Sequence, residues 1–391
     1  MRDKRFLILF VFAVFVSVFI NQPALNHSMA GESGDIPKMI GIGSLRVGGA
    51  GHLMASTLGE VFQKKVGIKV RVIPIASDMG RLTLLRSGDI QFEITAGSQM
   101  YPIQLGLADY CKLEWGPQPL QMAWLGPAYL GVLTTNAHKD INKVADVKGK
   151  RVAWMPLRSS QILHEAFLAF AGLTKDDVTT VPVNGYIGQF MALMAGKVDV
   201  VLTSNPVTSK LFELEARPEG IKWLPYPHAD KEGWKRLRKI APWGAPATVT
   251  VGAGITKEKS LEAYDHFYGF AVYERTSPDL VYLLTKTIAE NIESLQKVTK
   301  AWAVYTIDKA LDTKLYPHAY HRGSVKYFKE KGLWSDEHEK RNQSIIEQQK
   351  ELIASWEPTV DQAISEKWKP EQLRTQWYKK QATISGYTPI D

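Results

Sequence analysis

Residues 39–62 read MIGIGSLRVGGAGHLMASTLGEVF, and this stretch decides the fold class. Met39–Ser44 alternates bulky and small residues in a way that suits a strand. From Leu53 the spacing changes to the helical period, with Leu53, Met54, Leu58, Val61 and Phe62 on one stripe. Between the two lies a glycine-dense loop that runs through Gly48, Gly49 and Gly51. Strand, loop and helix together form the repeating unit of a sheet wound with crossover helices, and the unit recurs. Lys69–Ile75 reads as the second strand, Arg81–Arg86 as a short helix, Ile90–Thr95 as the third strand and Tyr129–Thr135 as a further one.

A self-contained α/β block follows. Val144–Lys150 reads as a helical turn stopped by Gly149, then come the strand Arg151–Met155, the helix Gln161–Ala171, the strand Thr179–Val183, the helix Ile187–Ala195 and the strands Val198–Thr203 and Ile221–Pro225. Ala247–Ile255 reads as one more strand, and everything beyond it reads helical. A block inserted between strands of another sheet predicts two lobes, 31–139 plus 248–324 and 140–247, joined by crossings near residues 136–140 and 245–249. Paired crossings imply a cleft that closes. Residues 325–391 differ in composition, with eleven basic residues, eleven acidic ones and four of the eleven tryptophans. A stripe of Ile345, Ile346, Leu352 and Ile353, continued by Trp356, predicts a helix over 336–355 that caps the body.

Composition excludes several classes. One cysteine, Cys111, among 391 residues rules out a disulfide framework, paired-thiol redox chemistry and a Cys/His zinc pattern. The formal charge of +8, from 48 basic against 40 acidic residues, is spread along the chain, so no nucleic-acid partner is expected. The long apolar run Phe6–Ile20 follows Arg2, Lys4 and Arg5 and precedes Ser28-Met29-Ala30. That is the layout of a signal peptide over 1–30. Its fifteen residues fall short of the roughly 20 that a spanning helix needs, so the expected product is a free periplasmic protein beginning near Gly31.

Ligands of open α/β sheets sit beyond the carboxyl ends of the strands. The first such loop offers Ser44, Gly48 and Gly49, where glycine lets backbone N–H groups approach a guest and a helix N-terminus favours an anion. It is no nucleotide fingerprint, because Arg46 stands where GxGxxG needs its third glycine. Later strand ends offer Ser77 and Asp78, Gly97 and Ser98, Arg158, Ser159 and Ser160, and Thr203, Ser204 and Asn205. Arg158 would pair with a carboxylate or sulfonate, while Ser159 or Ser160 would otherwise cap the following helix. Gln189 and the aromatics Trp124, Tyr129, Trp154, Tyr186 and Trp243 are candidates to line or cover the pocket, with core packing as the alternative. Asp78 and Glu93 would meet an ammonium, or else cap and pair within the protein. Catalytic patterns are missing: no GxSxG and no HExxH occur. Ser160 and His164 share helical spacing without an oxyanion site, and His318 with His321 lacks further metal ligands. No covalent chemistry, metal or cofactor is expected.

The runs IGIGSLRVGGAGHLMASTLGEVF, RLTLLRSGDIQFEITAGS, VADVKGKRVAWMPLRSSQILHEAFLAFAGLTKDDV, ALMAGKVDVVLTS, SPDLVYLLTKTIAENIESL and LYPHAYHRGSVKYFKEKG resemble, in order and spacing, the TAXI family of solute-binding proteins of TRAP transporters over about residues 36–333. The resemblance implies a two-lobed, type II periplasmic-binding-protein fold, here with a C-terminal helical extension. It also implies capture of a small anionic organic solute, such as a carboxylate or an acidic amino acid, and delivery to the membrane permease subunits of a TRAP transporter. Where the family has a Gly-Gly-Ser turn this chain has Ala76-Ser77-Asp78, and where it has Pro-Gly-Ser-Gly this chain has Pro156-Leu157-Arg158-Ser159-Ser160. Those departures set a carboxylate and a guanidinium among backbone donors. A sensory module for a membrane receptor and the solute receptor of an ATP-driven importer are the alternatives within the same fold. An exported hydrolase would need a nucleophile or a metal.

Overall fold

The computed structural model describes residues 36–312 and 318–386. The expected leader lies outside the described residues. In chain order the first elements are β1 (Met39–Ser44), α1 (Ala50–Val66), β2 (Lys69–Pro74), α2 (Asp78–Ser87), β3 (Phe92–Ala96), α3 (Gly97–Leu105) and β4 (Leu120–Gly126). Helix α1 buries Met54, Ala55, Leu58 and Phe62, and it stops at Gly67, whose left-handed φ of 81° lets its N–H return to the Gln63 carbonyl. Next come β5 (Tyr129–Thr134), β6 (Arg151–Trp154), α4 (Arg158–Phe170), β7 (Thr179–Pro182), α5 (Gly185–Met194), β8 (Val201–Thr203), α6 (Ser209–Glu215), β9 (Lys222–Leu224), α7 (Lys231–Ile240), β10 (Ala245–Val249) and β11 (Leu261–Asp265). The chain then runs through β12 (Tyr268–Tyr273), α8 (Pro278–Val298), α9 (Ile307–Ala310), α10 (Arg322–Glu330), α11 (Asp336–Ser365) and α12 (Pro370–Ser385).

Two sheets organise these elements, a mixed one and an antiparallel one, one for each of the two lobes that the sequence implied. The first has the order β2-β1-β3-β12-β4. Strands β1, β2 and β3 run parallel, and the late strand β12 inserts antiparallel between β3 and β4. The second has the order β10-β11-β5-β8, with β9 also on β5, and β6 pairs with β7 beside it. Strands β3 and β5, central in their sheets, are buried almost throughout, and so is β4 at the end of the first sheet.

Several expectations are corrected here. Strand pairing puts the crossings at Pro127–Ala128, between β4 and β5, and at His266–Phe267, between β11 and β12, rather than near 136–140 and 245–249. Strands β5, β10 and β11 therefore belong to the second sheet, so the second lobe spans about residues 129–265 and not 140–247. Beyond Ile255 the chain is not all helical, since β11 and β12 both follow. Helix formers such as Leu261, Glu262 and Ala263 are held in β11 by pairing with β10, and the end of the strand, Tyr264–Asp265, pairs with β5 as well.

The C-terminal hairpin of α11 and α12 packs on the first lobe. The Trp377 indole N–H donates to the Leu105 carbonyl at 2.9 Å, and the Trp356 ring stands edge-on to Trp377 at 4.9 Å. The Gln349 amide donates to the Gln118 and Leu120 carbonyls at 3.2 and 3.0 Å. Among the described residues no helix is long and apolar enough to cross a membrane.

Candidate functional site

The carboxyl ends of β1, β2 and β3 from one lobe, and of β6, β7 and β8 from the other, open on a common cleft of about 570 Å3. The two chain crossings form its back. There Asp265 acts as a clasp: one carboxylate oxygen accepts the backbone N–H groups of Ala128 and Phe267, both at 2.9 Å, and the His266 N–H returns to the Ala128 carbonyl at 3.0 Å. Phe267 has a φ of 42°, a left-handed conformation that a bulky residue keeps only when its surroundings enforce it. Burial pushes the Asp265 carboxyl up to about 7, against the two amide bonds and Lys309, which pull it down.

On the first lobe the β1–α1 loop crosses the cleft mouth. Gly48 takes a φ of 75°, which leaves Gly49 as the N-cap of α1 with no side-chain cap, so the first N–H groups of a 17-residue helix have no side-chain acceptor there. Arg46 reaches from this loop to the other lobe, its guanidinium 5.8 Å above the Tyr186 ring. No carboxylate pairs with Arg46 among the described residues, and burial lowers its pKa, with Arg81 adding to the effect and Tyr186 and Tyr268 opposing it. A half-buried cation without a counter-ion is the strongest signal in the cleft for an anionic guest. In the sequence it stood out only as a departure from a nucleotide motif.

Behind it Arg81 is fully committed. It donates from Nε to Glu93 at 2.9 Å, from one terminal nitrogen to the Ile75 carbonyl at 2.7 Å, and from the other to Asp78 at 2.6 Å and Gln99 at 2.8 Å. The Gln99 amide also donates to Glu93. Asp78 and Glu93, weighed above as receivers of an ammonium, are both spent on this guanidinium. Ser77, not Asp78, caps α2, accepting from the Gly80 N–H at 3.1 Å.

Of the residues expected to contact a ligand, Gly48, Gly49, Asp78, Ser98, Tyr129, Ser159, Ser160, Tyr186, Ser204 and Asn205 line the cleft. Ser77 and Arg158 line a smaller recess of about 190 Å3 beside it, together with Asp78, Ser98 and Ser159. Arg158 does not offer a free guanidinium, because it grips both oxygens of Glu165, two turns along α4, at 2.8 and 3.2 Å. Thr203 is buried behind the lining and holds Tyr186 in place through a 2.5 Å hydroxyl–hydroxyl contact. Ser44, Gly97, Trp124, Trp154, Gln189 and Trp243 lie in neither cavity. All are buried: Trp124 packs on Phe328, Trp154 on His164 and Trp243 on Tyr101. A Cβ at Gly97 would collide with the Trp243 ring, so that glycine serves the close packing at the back of the cleft.

Among the cleft residues that escaped sequence reasoning besides Arg46 are His52, His266, Tyr268, Lys210 and Lys300. His266 is 2% exposed, and neither ring nitrogen has a protein partner. Burial drives its pKa down to about 3, so the ring is neutral. The residue pairs suspected of chemistry have structural work instead. His164 Nδ1 contacts the Ser160 carbonyl, not its hydroxyl, at 2.7 Å. His318 Nδ1 meets Gln104 at 2.6 Å, and His321 caps α10.

The model of the NMT1-like family matches residues 47–332, about three quarters of the chain, and no curated protein sequence matches. Solved structures that resemble it include PhnD1 from Prochlorococcus marinus (MIT 9301) in complex with methylphosphonate, 11% identical over 76% of this chain and 100% of that one, with a TM-score of 0.48. A putative sulfonate ABC transporter component, the periplasmic sulfonate-binding protein SsuA from Methylobacillus flagellatus KT, is 18% identical over 75% and 87% of the chains, with a TM-score of 0.42. An ancestral arginine-binding protein bound to arginine is 17% identical over 68% and 98%, with a TM-score of 0.42. None of these likenesses says what this chain binds.

Proposed function

The chain belongs to the NMT1-like family, and from that premise we propose that it is an extracytoplasmic solute-binding protein that captures a small organic anion between its lobes. One observation carries this reading: a cleft of about 570 Å3 lined by strand-end loops of both lobes, with the unpaired guanidinium of Arg46 at its mouth. A guest that touches both lobes at once stabilises the closed arrangement by the difference between its contacts in the closed and open states. The closed surface is then what a membrane permease reads. Export depends on the leader read at residues 1–30. The protein transforms nothing chemically.

The recipient is the permease of an importer. We put an ATP-driven importer first, because the family matched is the NMT1-like one and the TAXI assignment rests on sequence resemblance alone. A TRAP permease is the second reading, favoured by the ordered motifs quoted above. Uptake that stops on ATP depletion but survives collapse of the ion gradients supports the first, and the reverse supports the second.

The test of the binding role is native mass spectrometry of the full chain as purified, followed by a thermal-shift screen of carboxylates, sulfonates and amino acids. The expected result is a one-to-one small-molecule adduct and a ligand-dependent rise in Tm. A bare protein that no compound of the screen stabilises contradicts the reading.

A further inference from the structure

The charge census of the cleft narrows the guest. Four cationic side chains line it, Arg46, Arg81, Lys210 and Lys300, against a single carboxylate among the described residues, Asp78. That carboxylate is taken by Arg81 at 2.6 Å, and Glu93 behind it is taken by the same guanidinium. Lys210 is paired with Glu213 at 2.5 Å. What remains uncompensated is positive, and Arg46 is the half-buried part of it. An α-amino acid brings an ammonium as well as a carboxylate, and a desolvated ammonium needs an anionic or well-directed acceptor to offset its dehydration. No free carboxylate faces the cleft to supply one. Asp265, at the crossings behind the cleft, is 2% exposed and turned to two backbone amides.

The rest of the lining is apolar or neutral. Leu53, Ile94, Leu130, Leu163, Ile187 and Val304 contribute to the walls. Two of them, Leu53 and Ile187, are 40% and 39% exposed, so a guest with an apolar body would gain by covering them. At the back His266 presents two unbonded ring nitrogens while almost completely buried. Being neutral, it offers one donor and one acceptor but no charge.

We infer that the cleft is built for an organic monoanion without an ammonium group: a carboxylate or sulfonate on an apolar aromatic or branched aliphatic body, its head at Arg46 and the N-terminus of α1, its body between the aliphatic walls, with His266 as an uncharged polar contact at depth. This rests on the solute-binding reading and departs from the acidic amino acid that the TAXI resemblance implies.

Matched pairs that differ only by the α-ammonium test the inference. Isothermal titration of the ligand-stripped full chain at pH 7.5 compares 3-phenylpropionate with phenylalanine and 4-methylpentanoate with leucine, and 2-phenylethanesulfonate asks whether the head is carboxylate or sulfonate. The expected result is that at least one ammonium-free acid binds at least tenfold more tightly than its amino counterpart, a difference of about 1.4 kcal/mol. Arg46→Gln should weaken that acid at least tenfold with Tm of the free protein unchanged. Equal or tighter binding of the amino acid overturns the inference, and so does failure of every ammonium-free acid to bind. Binding of an amino acid alone leaves the solute-binding reading standing, whereas a protein that carries no small molecule and binds none of either series sinks both. Because the matched-pair comparison uses the wild-type chain, it does not depend on the variant folding.

Discussion

Replacing Asp265 by Asn should change stability in a way that depends on pH. The carboxylate clasps the two interlobe crossings by accepting the N–H groups of Ala128 and Phe267 on one oxygen, a task that a carboxamide oxygen also performs. What Asn cannot do is ionise. Burial raises the Asp265 pKa from its ordinary 3.8 to about 7, opposed by the two amides and by Lys309, with Asp312 adding slightly to the rise. A carboxyl whose folded pKa is raised contributes stability that is fully present below its unfolded value, near 4, and is lost as pH rises through 7. The difference corresponds to about 4 kcal/mol at the upper limit. Urea unfolding of both proteins at pH 5, 6, 7 and 8 isolates the effect, because every other titrating group cancels in the comparison. At pH 5 the wild type has already given up about 1.6 kcal/mol of that contribution, and between pH 5 and 8 it should lose about 2–3 kcal/mol more, while Asp265→Asn loses none. By pH 8 the variant should be the more stable by about 2–4 kcal/mol. A gap that does not widen between pH 5 and 8 would refute the buried, late-ionising clasp.

Arg81→Met should destabilise the protein by about 3–5 kcal/mol, because it leaves Glu93 buried and unpaired, and the double variant Arg81→Met/Glu93→Gln should recover part of the loss in the same unfolding assay. Arg158→Ala should weaken binding of the acid held by the wild type by less than about threefold, since its guanidinium is spent on a partly buried pair with Glu165, while Arg46→Ala weakens it at least tenfold by titration. Acid should unfold the chain steeply. His164, His266, His318 and His321 are held neutral by burial, with pKa values of about 4, 3, 3 and 4. Depressed histidines contribute stability that is present above their unfolded value, near 6.5, and is lost as pH falls. Four such groups, less the one proton that Asp265 retains, leave about three protons taken up on unfolding, or about 4 kcal/mol per pH unit near pH 5.5. Stability that stays level between pH 5 and 6 contradicts this.

The parts of the fold written locally in the chain were the ones that could be read. Strand β1 and the stripe of α1 are visible in residues 39–62, and the loops of the cleft follow from the rule that α/β sheets bind at the carboxyl ends of their strands. Strands β11 and β12 were not legible, because Leu261–Asp265 suits a helix until β10 and β5 flank it, and β12 becomes a central strand only by inserting between β3 and β4. The lobe boundary moved for the same reason, since β5 declares its sheet through partners some 70 and 130 residues away. Within the site, residue type alone ranked Arg158 first. Its i+7 partner Glu165 lies on the same face of α4 and removes it from contention. Arg46 owes its weight to the lack of such a partner, which no local pattern announces. The tryptophans went to the interior, where their size stabilises most.

A crystal structure of the full chain purified with the small molecule it carries tests the central claim most directly. The account predicts one organic anion in the cleft, its acid group against Arg46 and the first turn of α1, and the same molecule touching the Ser204–Asn205 loop of the other lobe. A guest seated in the smaller recess at Arg158, or held by one lobe only, would contradict it.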